Sequence, residues 1–334
     1  MTRHVVQFSL GLAITCLFLW LIVRHVDTAE MWVALSEAKI GWLALGVLMF
    51  FLGYFTRVRR WQLMLRLQNP GLSWTRVFAP FLASIAVNNL VPFRAGDVMR
   101  AFGFTTWLQQ PAASVLATLL VERLLDLLTL MLALGFALLW FGFAADTADT
   151  LFGIGAGGLI AIGLTVMAVL LMPRLLMPLV FGVVRLIEQI SPSIGLRAEG
   201  FANRVFNSLT QLAKARRMGA LVVLSFVAWG FEALVFYCVA LGVPSLADAT
   251  AAFLALSVGT LSTLLPSTPG YVGTFDFFVI QAMQMLDNPA AAAAAFAVLV
   301  HVVLWLPATL VGLSCLIYLH LQGGISLRNI EKTR

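Results

Sequence analysis

Apolar runs of about the length a membrane helix requires follow one another along the chain. A helix needs about 20 apolar residues to cross a hydrocarbon core, and runs at 5–23, 40–56, 120–143, 151–172, 218–241 and 290–320 supply them. Two further stretches, 74–93 and 251–268, are apolar but end in polar segments that carry Pro and Gly. The first breaks at Asn88, Asn89, Pro92 and Gly96, the second at Pro266, Pro269, Gly270 and Gly273. A short amphipathic run follows each, at 98–108 and 271–286. Three more amphipathic segments, 28–38, 174–188 and 197–217, lie outside the apolar runs.

Composition narrows the class. Of 334 residues, 61% are hydrophobic and 11% charged, where a soluble domain carries about a quarter charged. With a mean hydropathy of +0.97, the chain has more apolar surface than a water-soluble fold of this size can hide. A soluble enzyme, a nucleic-acid-binding module and a disordered chain are excluded. Membrane barrels alternate lipid-facing and lumen-facing residues and would be more polar. The pattern therefore predicts an all-α polytopic membrane protein. The first run follows Arg3 and His4 and has no A-x-A cleavage site after it, so it reads as an uncleaved helix rather than a signal peptide. The three cysteines, Cys16, Cys238 and Cys315, sit far apart in apolar runs and suggest neither a disulfide framework nor a metal cluster.

Charge orders the topology. The net charge of +6 is ordinary for a membrane protein, whose cytoplasmic loops collect Lys and Arg. Arg57, Arg59, Arg60, Arg66 and Arg76 follow the second run without an acid among them, and seven basic residues lie between 173 and 217. Arg328, Lys332 and Arg334 end the chain, whereas the segments at 144–150 and 242–250 hold Asp146, Asp149 and Asp248. The first group is expected in the cytoplasm and the second outside, with both termini cytoplasmic in a multi-pass protein of the inner membrane. Parity then requires 74–108 to begin and end inside, and 251–286 to begin and end outside. Both read as re-entrant helical hairpins, although full pairs of crossings would satisfy the same parity.

The two regions align at an offset of 174, which pairs Pro92 with Pro266 and Gly96 with Gly270. The expected organisation is a single integral membrane domain, residues 1–334. A first repeat unit spans about 40–143 and an oppositely oriented second unit about 214–320, with a cytoplasmic amphipathic insert at about 174–217. Inverted repeats with broken helices are a transporter signature.

Ionisable side chains within the membrane mark candidate sites. The first unit carries Arg94, Asp97 and Arg100 around its break, then Glu122, Arg123 and Asp126 within one turn of one another. Guanidinium groups suit phosphate or carboxylate, and the acids can hold them in place. The second unit carries Glu232 in mid-helix and Asp276 after its break. Glu232 needs a cationic partner or a proton. His301, inside the last run, reads more readily as a hydrogen-bonded structural residue. Metal-protease, prenyl-transfer, Walker A and nucleophile-elbow motifs are all missing from the sequence. No metal, cofactor or catalytic residue is expected.

The stretch Asn88-Asn89-Leu90-Val91-Pro92-Phe93-Arg94-Ala95-Gly96-Asp97-Val98-Met99-Arg100 resembles the N-x-x-x-P-x-R-x-G-E-x-x-R pattern of flippase-like membrane proteins. These are similar to the transmembrane region of lysylphosphatidylglycerol synthases. Glu122-Arg123-Leu124-Leu125-Asp126 resembles the family's E-R-x-x-D segment. Pro269-Gly270-Tyr271-Val272-Gly273-Thr274-Phe275-Asp276 resembles its P-G-G-x-G-x-x-E segment. Asp stands for Glu at 97 and 276, and Tyr271 for the second Gly. The likeness covers roughly residues 5–320, and the soluble synthase domain is not expected.

The resemblance implies movement of a lipid or lipid-linked headgroup between leaflets. The expected partner is a membrane lipid with an anionic or zwitterionic headgroup, bound by Arg94, Asp97, Arg100, Glu122, Arg123, Asp126, Glu232 and Asp276. A membrane-embedded lipid-modifying enzyme is one alternative. An accessory subunit that docks a glycosyltransferase or lipid-modifying enzyme is the other. No nucleic acid is expected.

Overall fold

Where an apolar run is uninterrupted, the backbone has no water to bond and closes its own hydrogen bonds as helix. The computed structural model describes residues 2–92, 94–144, 150–265 and 268–324, and every regular element among them is helical. Pro266, Asp146, Asp149, Arg328, Lys332 and Arg334, on which parts of the sequence reading rest, lie outside the described residues. The helices are α1 (Thr2–His25), α2 (Thr28–Ser36), α3 (Ile40–Leu65), α4 (Trp74–Leu90), α5 (Ala95–Val98), α6 (Thr105–Leu108) and α7 (Ala112–Ala144). They continue as α8 (Thr150–Leu171), α9 (Met177–Ile190), α10 (Pro192–Leu212), α11 (Ala215–Leu241), α12 (Ala252–Ser262), α13 (Thr274–Gln284) and α14 (Ala290–Leu321).

Among the described residues, α3, α7, α11 and α14 are each long and apolar enough to cross a membrane, and two bent pairs bring the spans to as many as six. In the bent pairs, α1 turns into α2 by 87° and α8 into α9 by 97°. The protein is a multi-pass membrane protein. Along α9, Leu179, Val183, Leu186 and Ile190 are exposed. Their helical spacing makes one apolar stripe, as on a helix lying in the plane of a membrane surface.

One boundary differs from expectation in a way that matters. The second run seemed to end at residue 56 with a basic loop after it, but α3 continues to Leu65 and carries Arg57, Arg59 and Arg60 within the helix. Arg57 and Arg60 turn inward, onto carboxylates of α11 and α7. Arg is a good helix former, and the paired charge lets the helix run on.

The two interrupted stretches stop for local reasons. Pro92 cannot continue α4, and Val91 before it is extended (φ −117°, ψ 133°), as a residue before proline prefers. Arg94 then adopts a left-handed conformation (φ 52°) and α5 begins. Gly96 sits where a Cβ would run into the Ser84 carbonyl and the Asn88 side chain, so glycine lets the returning chain press against α4. A π-helical turn, Met99–Gly103, links α5 to α6. In the second stretch α12 ends at Ser262, and Pro269–Tyr271 forms a single 3-10 turn. Gly270 (φ 73°) and Tyr271 (φ 59°) are both left-handed there. The Tyr that stands for a family glycine thus occupies a conformation that costs an ordinary residue roughly 1–2 kcal/mol.

Helix α4 packs along α14, α3 along α11, α7 along α8 and α12 along α13. Two large apolar cores and one small one result among the described residues. Val58, Trp61, Phe81, Phe104 and Leu125 belong to one large core, and Phe236, Leu254, Phe275 and Phe296 to the other. Contact between α4 and α14 is closest at Gly312, where a Cβ would meet the Leu82 carbonyl and come within 2.6 Å of Ala86 Cβ. Gly312→Val should therefore lower the melting temperature in detergent by an amount corresponding to about 1–3 kcal/mol. Gly219→Ala, with nothing within 4 Å of the new Cβ, should leave it unchanged. Equal effects of the two substitutions would contradict this packing.

Candidate functional site

Charged side chains from α3, the return segment after α4, α7 and α11 converge in the interior. Arg100, on the π-helical turn, is fully buried. It donates twice to Glu122 of α7, Nη1 to Oε1 at 3.1 Å and Nη2 to Oε2 at 2.6 Å. Its guanidinium also lies over the Trp61 ring at 3.9 Å and the Phe81 ring at 4.3 Å. A delocalised cation with two donors in a fork can be buried on these terms where an ammonium could not.

One turn outward, Arg123 Nη2 donates to both Asp97 oxygens, at 3.0 and 2.8 Å. Asn88 clamps the same carboxylate: its Nδ2 donates to Asp97 Oδ1 at 2.9 Å, and its Oδ1 accepts the Asp97 backbone N–H at 3.2 Å. Asn88, Gly96 and Asp97 therefore work together, since the close approach that Gly96 permits brings Asp97 onto Asn88. The Arg123 side chain keeps 41% of its surface exposed. Arg94 makes no hydrogen bond or ion pair among the described residues.

A second pair of contacts ties α3 to its neighbours. Arg60 Nη1 donates to Asp126 Oδ1 at 2.8 Å and to Ser225 Oγ at 2.7 Å, and Trp229 Nε1 donates to the same Asp126 oxygen at 3.1 Å. Arg57 Nη1 donates to Glu232 Oε2 at 2.8 Å, with its guanidinium over the Tyr54 and Trp229 rings. Glu232 thus receives an arginine, as its mid-helix position required. That arginine comes from the basic stretch assigned to a loop, not from the return segment.

The second break has its own polar pair. Asp276 Oδ2 accepts the Gly273 backbone N–H at 2.8 Å, closing the start of α13, while Oδ1 meets His301 Nδ1 of α14 at 2.7 Å. Thr15 of α1 reaches the break through Thr268, hydroxyl to hydroxyl, at 2.9 Å. Asn89 Nδ2 donates to Thr309 Oγ1 of α14 at 2.9 Å. The two breaks adjoin: a Cβ on Gly270 would lie 3.6 Å from the Asn89 carbonyl. Against them lies a cavity of about 170 Å³, whose walls include Tyr54, Asn89, Glu232, Tyr271, His301 and Trp305. A larger apolar cavity, about 620 Å³, opens between α7, α11 and α12, with Phe136, Trp140, Phe226, Trp229 and Phe253 among its walls.

Apart from Arg94, which has no bonded partner among the described residues, the expected site residues fall into three groups. Asp97, Arg100, Glu122, Arg123 and Asp126 share one polar region, where Arg100 and Glu122 are enclosed by protein and Arg123 faces outward. Glu232 stands on the wall of the cavity, and Asp276 stands behind His301. Arg57, Arg60, Tyr54, Trp61, Trp229 and Trp305 were not anticipated. For Arg57 and Arg60 the signal was available, because the expected set held five acids, Asp97, Glu122, Asp126, Glu232 and Asp276, against three arginines.

Residues 8–312 match the family described as the lysylphosphatidylglycerol synthase transmembrane region. The chain belongs to that family. A curated relative, glycosyltransferase AglD from Haloferax volcanii, is 28% identical over 335 residues, covering 90% of this chain and 52% of that protein. The chain therefore spans about half the length of this relative. The three motifs are separate stretches of this sequence. Here the first two are one structure, because Arg100 and Asp97 of the first motif bind Glu122 and Arg123 of the second.

Breaking one partner of the Arg100–Glu122 pair strands a buried charge. Arg100→Met alone should destabilise the protein by about 3–5 kcal/mol, whereas Arg100→Met with Glu122→Leu should recover most of that loss. Thermal unfolding of both variants in detergent measures it. Equal destabilisation in the single and double variants would argue against a coupled pair.

Proposed function

We propose that this protein moves a lipid or lipid-linked headgroup between the leaflets of the cytoplasmic membrane, as a transporter rather than an enzyme. The observation that carries this reading is the meeting of two broken helices at one polar cavity. Helix α4 has 17 residues and α12 has 11, about 26 and 17 Å, so each is short of a hydrocarbon core about 30 Å thick. Both are read as descending arms of re-entrant hairpins, returning through α5–α6 and α13. The chain order α3, α4, α5–α6, α7 recurs as α11, α12, α13, α14 near the 174-residue offset. Packing has the same symmetry: α4 lies on α14, and α12 lies on α7. Two oppositely oriented halves, each closing the other's broken helix, account for both facts.

The chemistry suits an amphiphile. Arg94, unpaired among the described residues, and Arg123, partly open to solvent, are the guanidinium groups available to a headgroup phosphate. Asp97 and Asn88 hold Arg123 in place. The apolar cavity between α7, α11 and α12 would shelter a hydrocarbon chain, and Trp229 joins it to the charged network through Asp126. Arg66 and Arg76 after α3 and the basic residues between α8 and α11 support a cytoplasmic position for these ends and for both termini. A second reading is favoured by the likeness to glycosyltransferase AglD: the protein would serve glycosyl transfer by presenting a lipid carrier to a partner enzyme. Co-purification of a glycosyltransferase whose activity needs this chain would support it.

In proteoliposomes with a headgroup-labelled phospholipid and an external quencher, Arg94→Ala should slow transfer about tenfold or more, the worth of one charge-assisted hydrogen bond. Arg94 has no partner among the described residues to strand, so the variant should keep its wild-type melting temperature. Wild-type transfer rates in Arg94→Ala and Arg123→Ala alike would remove the phosphate role from both residues. Protein-free rates for the wild type would remove the transport function.

A further inference from the structure

The cavity at the two breaks has a donor and acceptor inventory that selects among headgroups. Asp276 is engaged at both oxygens, by Gly273 N–H and by His301. In the neutral ring this contact keeps the proton of His301 on Nδ1 and leaves Nε2 as an acceptor. Glu232 binds Arg57 through Oε2, and its Oε1 makes no hydrogen bond among the described residues. Trp305 supplies the opposite need. Its indole Nε1–H is buried without an acceptor among the described residues, beside Gly270, where a Cβ would come within 2.8 Å of it. A buried donor left unsatisfied carries the full loss of its hydration.

These groups exclude two common headgroup chemistries. A phosphate would satisfy the indole but would face the Glu232 carboxylate, with no Lys or Arg among the described wall residues to offset the repulsion, since Arg57 lies behind the wall on Glu232 Oε2. An ammonium would satisfy Glu232 and His301 but offers no lone pair to the indole. A hydroxyl both donates and accepts. Two neighbouring hydroxyls can give protons to His301 Nε2 and Glu232 Oε1 while accepting from Trp305. Tyr271, Phe275 and Trp305 add apolar ring faces to the walls, which suit the C–H faces of the same group.

The geometry points to a polyol subsite: the cavity takes the hydroxyl-bearing end of a lipid headgroup, glycerol or a sugar, with His301, Glu232 and Trp305 as its hydrogen-bond partners. This rests on the lipid-headgroup reading above and adds a division of labour, with phosphate at Arg94 and Arg123 and hydroxyls at the breaks.

Four lipids with the same dioleoyl chains test it, added to the purified protein in detergent and ranked by native mass spectrometry: phosphatidylglycerol, glucosyl-diacylglycerol, phosphatidylethanolamine and phosphatidic acid. Phosphatidylglycerol should bind about tenfold or more tighter than the last two, which share its phosphate but lack its hydroxyls, and the uncharged glucosyl-diacylglycerol should bind detectably through its hydroxyls alone. Trp305→Phe, which keeps the ring and removes the donor, should erase the preference and spare phosphatidylethanolamine binding. A flat ranking of the four lipids, an order that follows charge rather than hydroxyls, or an unchanged preference in Trp305→Phe would each overturn the proposal. Should Trp305→Phe fail to fold, the wild-type ranking decides. Transfer in proteoliposomes is read separately. A hydroxyl preference without transfer removes transport and leaves the subsite, while transfer without the preference does the reverse.

Discussion

A guanidinium or carboxylate inside a membrane protein is tolerated only where opposite charge and hydrogen bonds surround it. Most of this fold is arranged around that requirement. Arg57, Arg60, Arg100 and Arg123 each find a separate acid, and the four pairs join α3 to α11, α3 to α7, and the return segment to α7 at two levels. Helices in lipid gain little from burying apolar surface against one another, so such contacts fix which helices are neighbours and in what register. Glu122, Arg123 and Asp126 lie within about one turn of α7 yet bind three different partners. That single turn therefore gathers the first half of the molecule.

The breaks obey the same rule at the level of the backbone. Non-helical chain at membrane depth survives where protein covers it or where it lines a cavity. Here both occur. The first break is covered by Asn88 and by α14 through Asn89 and Thr309. The second is covered by Thr15 of α1 and by the Asp276 cap of α13. Between them the chain leaves a polar space rather than packing it shut, and the side chains on its walls keep hydrogen-bonding capacity in hand.

Much of this was legible in the order of residues, because apolar length and Pro/Gly interruptions are local properties. The runs at 40–56, 218–241 and 290–320 became α3, α11 and α14, and the breaks at Pro92 and at Pro269–Gly270 stand where the sequence put them. What the sequence hid was pairing. Arg57 and Arg60 looked like loop residues because the apolar run stops before them. Only the acids on α7 and α11 explain why the helix continues. Arg100 looked like a ligand-binding cation until its burial between Trp61 and Phe81 was visible. Trp305 carried no signal at all, since an indole in an apolar run is ordinary and its lack of an acceptor is a three-dimensional fact.

The two elbows are not fastened alike. The first is bolted to α7 by the Arg100 fork on Glu122 and by Arg123 on Asp97, with Arg100 packed against two rings. The second is held by a histidine–carboxylate contact and a threonine–threonine bond, and it includes a tyrosine in a backbone state that tyrosine disfavours. Any reshaping of the chamber has fewer strong contacts to break on the side of α12 and α13. The first elbow is thus the firmer of the two, an anvil beside a looser strap.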